Sequence, residues 1–427
     1  MSMRSVLFVL LFVAAQTSAQ QYGSTDFPAS GDPAVHPRFI QGLLMLHNFE
    51  YEDAREVFRA VRAEDPDFVM AYWGEALTHE HPLWRQQDLP AARAVLQELG
   101  ATPAARLARA KTEREKDYVD SLNTLFGDGT DEHRDYAYSA ALKTISEKYP
   151  DDFDAKALYA LSILATSHGG RDFAKFMRAG ALTEEILDKA PLHPGALHYN
   201  IHSFDDPVHA PLGLRAANVY SGVAPAAVHA LHMPAHIYFG LGDYEQANAL
   251  NQRSFQAAVN RGKAKGLPLD AQAYHSLTWL IYGRTQEGKL AEARKLIGIL
   301  EKELSRGDVW TRMAFISARG NYIVDTDNWE DPLLQIGIDH KGLPPYIVVT
   351  DQYVAAVRRL KSDDLIGATA ILQSLVISHS PESRNPRIAA PELLRLMLQA
   401  QIAFAEGDSG QALEILQYAV RAEQRLS

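Results

Sequence analysis

A spacing of small, aromatic and proline residues recurs along this chain and leaves it few folds to adopt. In the segment FIQGLLMLHNFEYEDAREVFRAVRAEDP (39–66), counted with residue 35 as position 1, Gly42, Tyr51, Ala54, Phe58 and Pro66 fall at positions 8, 17, 20, 24 and 32. Small residues at 8 and 20 let two helices approach closely. The aromatic at 24 fills the gap beneath them. Proline at 32 stops the second helix, because it lacks an N–H and its ring clashes with the preceding turn. The turn between paired helices recurs as Gly242-Asp243-Tyr244-Glu245-Gln246-Ala247, as Gly288-Lys289-Leu290-Ala291-Glu292-Ala293 and as Gly407-Asp408-Ser409-Gly410-Gln411-Ala412. Terminators recur at Asp65-Pro66, Tyr149-Pro150, Ala190-Pro191 and Ala224-Pro225. Between these marks the apolar spacing is helical, as at Ala293, Leu296, Ile297 and Leu300. No stretch alternates convincingly with period 2, and Pro344 to Val349 is ambiguous.

The pattern resembles the tetratricopeptide (TPR) consensus, a helix–turn–helix repeat of about 34 residues. It predicts an all-α chain: a TPR-like α-solenoid of stacked antiparallel helix pairs, running as one domain over residues 38–427. Two stretches lack the marks. Gly127 to His133 reads as a polar loop, and Gly307 to Pro345 as a longer connection or an irregular helical pair.

The N-terminus reads as a processing signal. Arg4 is followed by the apolar run Val6 to Ala15, too short to span a bilayer comfortably, and then by Thr17 and Ala19 at the −3 and −1 positions of a cleavage site. Residues 1–19 are therefore expected to be a signal peptide and residues 20–37, rich in Pro, Gly and Ser, a flexible arm. The mature chain is expected to be periplasmic or extracellular, with no membrane insertion after cleavage. It has no cysteine, so thiol chemistry is excluded and any metal must be held by His, carboxylate, amide or water. A formal net charge of −11 argues against nucleic acid as a partner. Neither a phosphate-binding glycine loop nor a G-x-S-x-G elbow is present.

The chemistry concentrates in histidine. Of 16 histidines, seven lie between residues 193 and 236: His193, His198, His202, His209, His229, His232 and His236. With Pro225 at position 32, His198 and His202 take positions 5 and 9 of one first helix, and His232 and His236 take the same positions 34 residues on. His229 and Asp205 take positions 2 and 12. These are the positions that line the concave groove of a TPR stack. At about 100° per residue, His198, His202 and Asp205 share an arc of roughly 60°. Imidazoles at i and i+4 on one face make a bidentate metal site, and a carboxylate supplies a third ligand. The candidate ligands are His198, His202, Asp205, His229, His232 and His236, for zinc, copper or iron. Pro234 must either kink the helix between His232 and His236 or start a new one. A lesser candidate is Glu75, His79, Glu80 and His81, where the Trp and Tyr spacing reads instead as helix packing.

The segments HPGALHYNIHSFDDPVHAPLGLRAANVY and APAAVHALHMPAHIYFGLGDY, with GLLMLHNFEYEDA and DFVMAYWGEALTHEHPLW, resemble a group of exported bacterial TPR-containing proteins. The resemblance implies a helical solenoid and export, and it carries no catalytic roles. Two functions fit the residues. One is a metal-binding solenoid, extending to a metalloenzyme in which an open coordination position activates water or oxygen. The other is a metal-free scaffold receiving a peptide or protein segment in the concave groove.

Overall fold

The structure is a computed structural model, and it describes residues 21–375 and 386–424. The expected signal peptide, residues 1–19, lies outside the described residues. The chain is all-α, a TPR-like solenoid of antiparallel helix pairs, and it divides into two compact units. Each unit has its own core: one cluster runs from Phe27 to Ile237 and the other from Tyr274 to Ile402.

The first unit contains α1 (His36–His47), α2 (Tyr51–Glu64), α3 (Val69–Leu77), α4 (Leu89–Leu99), α5 (Pro103–Arg109), α6 (Glu113–Leu125), α7 (Asp131–Lys148), α8 (Phe153–Ala165), α9 (Phe173–Leu187), α10 (Pro194–Phe204), α11 (Leu214–Val223), α12 (Val228–His232) and α13 (Pro234–Gly240). Side-chain caps start many of them. Thr112 and Glu115 form a capping box at α6, and Asp88, Thr102, Thr130 and Asp152 accept backbone N–H groups at α4, α5, α7 and α8. The repeat marks behave as their chemistry requires. A methyl group added at Gly42 would sit 2.8 Å from the Phe58 ring, and one added at Gly74 would sit 2.4 Å from it. Only hydrogen at these positions lets α1 and α3 close on that aromatic.

Helices adjacent in sequence pack together, and α10 returns to α1. This return sets the first helix of the unit against the histidine-bearing segment. A two-residue hairpin, Glu80–His81 with Gln86–Gln87, follows α3.

The segment expected as a flexible arm is packed from residue 21 onward. Phe27 is fully buried, with its ring centroid 5.8 Å from that of Trp73 and 5.3 Å from that of Tyr118. The Ser30 backbone N–H donates to Glu115 at 2.7 Å, and the Thr25 hydroxyl donates to Asp154 at 2.7 Å. One aromatic anchor and these polar contacts outweigh the loop-like composition.

The second unit holds α14 (Tyr244–Lys265), α15 (Ala271–Gln286), α16 (Leu290–Glu303), α17 (Val309–Thr326), α18 (Pro345–Lys361), α19 (Leu365–Ser374), α20 (Pro386–Ala405) and α21 (Ser409–Glu423). Alternate helices touch, α15 with α17 and α18 with α20, as stacked repeats demand. The ambiguous Pro344 to Val349 is the start of α18, with proline in its first turn where the missing N–H does no harm. No described helix is long and apolar enough to cross a membrane.

Candidate metal centre

Helix α10 opens at His193, whose Nδ1 accepts the Ala196 N–H at 3.2 Å, and Pro194 follows at the first helical position. Four residues apart on this helix, His198 and His202 place their Nε2 atoms 3.0 Å from each other. His229, on α12, joins them: one ligand atom from each of the three lies within 4.8 Å of the others. The ring centroids of His198 and His229 are 4.9 Å apart, and those of His202 and His229 are 5.8 Å apart.

The second pair repeats the arrangement. His232 Nε2 and His236 Nε2 are 2.8 Å apart, across a break in the helix at Pro234. Of the two outcomes expected there, a new helix begins: α12 ends at His232 and α13 starts at Pro234. Met233 keeps helical dihedrals (φ −56°, ψ −39°), so the turn between the histidines is preserved despite the missing N–H. His229 and His232 link the two pairs at a ring separation of 6.3 Å.

Each pair has one imidazole fixed from behind. The Nδ1–H of His198 donates to the His47 carbonyl at 2.6 Å. Burial pushes the pKa of His198 down to about 3, so the ring is neutral at ordinary pH, its Nδ1 carries the proton and its Nε2 lone pair faces His202. The Nδ1 of His236 lies 3.0 Å from the Asp205 carboxylate. Burial lowers the pKa of His236, but the charge and hydrogen bond of Asp205 outweigh it and leave it raised. Asp205 therefore stands behind His236, on the nitrogen turned away from His232. The spacing offers Asp205 as a third ligand, and its contact here is with this far nitrogen.

Three of the imidazoles are buried: His198, His229 and His232 are 0%, 5% and 1% exposed, while His202 and His236 are half-buried. The wall expected to face an open groove is thus mostly interior. Its floor is Phe49, whose ring centroid lies 4.3 Å from His198, 5.4 Å from His229 and 5.8 Å from His202. Phe49 holds a left-handed backbone, φ 59°, in the turn between α1 and α2, a conformation that disfavours any residue with a Cβ. In the next position Glu50 accepts the His229 N–H at 3.2 Å.

A second cluster stands behind the first. His47 Nε2–H donates to Asp154 Oδ1 at 2.8 Å, and His47 Nδ1 accepts from the Tyr199 hydroxyl at 2.9 Å. His193 Nε2 lies 3.4 Å from the same carboxylate oxygen. All three side chains are at most 4% exposed. Burial opposes ionisation of Asp154, yet the hydrogen bonds and charges of His193 and His47 hold its carboxyl well below the usual range. This network locks the residue whose carbonyl orients His198.

Sequence spacing brought His198, His202, His229, His232 and His236 to notice, and the structure gathers them. It did not indicate Phe49, Glu50 or Asp154, since each reaches the site across 100 or more residues of chain or through a loop with no motif. His209 pairs with Asp206 at 2.9 Å instead of joining the cluster. In the lesser candidate, Glu75 is tied to Arg59 at 2.7 Å and also pairs with Arg62, so it holds helices together.

No protein-family model matches the chain, and no curated protein matches it. Among solved structures it is similar to a tetratricopeptide repeat protein from Parabacteroides merdae. The identity is 11%, with 73% of this chain and 97% of that chain covered, at a TM-score of 0.39. It is also similar to yeast Tom70, at 11% identity, with 91% of this chain and 85% of that chain covered and a TM-score of 0.44.

Proposed function

We propose that this protein is an exported helical-repeat protein that binds a transition-metal ion through the imidazoles of His198, His202 and His229, extended by His232 and His236. One observation carries the reading. Two i, i+4 histidine pairs each bring Nε2 within 3.0 Å or less of Nε2, while the Nδ1 of one member is held from behind by an acceptor. Metal–nitrogen bonds of about 2.0–2.1 Å set two ligating nitrogens roughly 3 Å apart. An acceptor on the far nitrogen is the usual companion of a ligating histidine. All-nitrogen ligation suits zinc, copper or iron. Burial favours this reading over a peptide groove, because an imidazole with no exposed surface offers nothing to a docking segment.

The test is elemental analysis by ICP-MS of the mature protein, produced without a histidine tag, beside a His202→Ala/His236→Ala double variant. The expected result is near-stoichiometric metal in the parent and its loss in the variant. A metal-free parent that takes up no Zn²⁺, Cu²⁺ or Fe²⁺ overturns the reading and leaves the peptide- or protein-binding scaffold in its place.

A further inference from the structure

Phe49 and Tyr199, which touch the histidines, also line a small, partly open cleft. Leu46, Leu77, Leu158 and Leu161 supply its walls. Its polar groups are few, and they share a character. Tyr51, a residue 7% exposed, lines the cleft, and its buried hydroxyl has no hydrogen-bond partner in the protein. An orphan hydroxyl in an apolar interior has lost its hydration without a replacement, which makes it a natural donor to a bound ligand. Glu80 also faces the cleft, with one carboxylate oxygen accepting from the Gln87 side chain. Burial is the main cause that pushes Glu80 up to about 8, which leaves it neutral and able to donate at ordinary pH. The groups around Glu80 are Asp131, Arg134, Asp135 and Tyr138 on α7, Gln87 on the hairpin, and Tyr51. Arg85 and His168 face Asp135 in turn.

We propose that this cleft binds a small, uncharged, mainly apolar molecule through a single hydrogen-bond acceptor, a carbonyl or ether oxygen, which takes the Tyr51 hydroxyl and the Glu80 carboxyl as donors. Apolar walls with a few convergent polar groups are the usual make-up of a small-molecule site. A carboxylate ligand is disfavoured here, because it would carry a negative charge into a largely apolar cleft that Asp135 also lines. A saturated hydrocarbon would fill the walls but leave the Tyr51 hydroxyl orphaned.

Isothermal titration calorimetry of the full mature chain tests the proposal with three probes of one shape: acetophenone, ethylbenzene and benzoate. Acetophenone is expected to bind about tenfold more tightly than ethylbenzene, a ratio worth one hydrogen bond, and benzoate more weakly than either. Tyr51→Phe should reduce the advantage of acetophenone and not weaken ethylbenzene, with circular dichroism confirming the fold. Acetophenone affinity should fall as pH rises through about 8 in the parent, and stay level in Glu80→Gln, which keeps a neutral donor. Equal binding of acetophenone and ethylbenzene, preference for benzoate, indifference to Tyr51→Phe, or no binding of any probe overturns the proposal. The same titration on His202→Ala/His236→Ala separates it from the metal reading, since the cleft uses neither histidine.

Discussion

His236 and Asp205 show how a residue's role depends on which ring nitrogen it meets. Asp205 touches Nδ1 of His236 while Nε2 faces His232, so under the proposed metal reading Asp205 would orient a ligand from behind. Asp205→Asn is expected to weaken metal binding about 10–100-fold, the usual effect of losing an outer partner. His202→Ala should weaken it much further. Competition against a chromophoric chelator measures both, and equal losses would make Asp205 a direct ligand. Glu80 gives a second residue-scale expectation. Its folded pKa, about 8, lies above the unfolded value near 4.5. Between these values the unfolded chain has released a proton that the folded chain keeps, so Glu80 lowers stability as pH rises through this window, and the penalty is complete above about 8. Glu80→Gln should flatten that slope and raise stability at pH 9 by on the order of 1–2 kcal/mol, allowing for partial solvation of the carboxyl. Urea denaturation at pH 5, 7 and 9 tests it, and a parallel offset at all three values would refute it.

At the scale of elements, the close contact of α10 with α1 decides where the histidines of α10 stand. Gly195, in the first turn of α10, makes that contact: a methyl group there would lie 2.4 Å from Nδ1 of His47. Gly195→Ala must therefore push back the His47 ring, which hydrogen-bonds Tyr199 and Asp154 and whose carbonyl holds His198. A loss of about 1–3 kcal/mol in stability is expected from such overpacking, together with weaker metal uptake. Unchanged metal affinity in a destabilised variant would show that the His47 carbonyl does not set His198. This contact also marks the limit of what the sequence discloses. The helices, the Gly42–Phe58 fit and the two histidine pairs follow from local spacing, since periodicity of side chains along a helix is a property of neighbouring residues. The return of α10 to α1 depends on how successive hairpins turn within the first unit, and no local pattern encodes it. For the same reason Asp154 and Phe49 carried no signal. Phe27 was hidden differently, as one aromatic in a segment whose average composition is that of a loop.

For the molecule as a whole, the candidate ligands all belong to the first unit, while their supports come from both ends of it. His47 and Phe49 are contributed by the first helix pair, and His198 to His236 by the last helices before residue 243. A metal ion bound there would tie together segments separated by about 150 residues and would favour the folded unit alone, because the unfolded chain does not assemble five imidazoles. At a free metal concentration of 100 times the dissociation constant, linkage stabilises the folded state by about 2.7 kcal/mol. In a domain of this size each kcal/mol raises the melting temperature by about 2–4 °C, so calorimetry with Zn²⁺ should move the first unit's transition by about 5–11 °C. The His202→Ala/His236→Ala variant should not respond. Hydrogen exchange gives the shift an address: protection should rise in α1 and the turn to Glu50, in α10, and in α12 and α13. A stabilisation that leaves α1 unprotected would mean that the ion binds the histidines of α10, α12 and α13 without engaging the His47 carbonyl, and the coupling between the two ends of the unit would have to be abandoned.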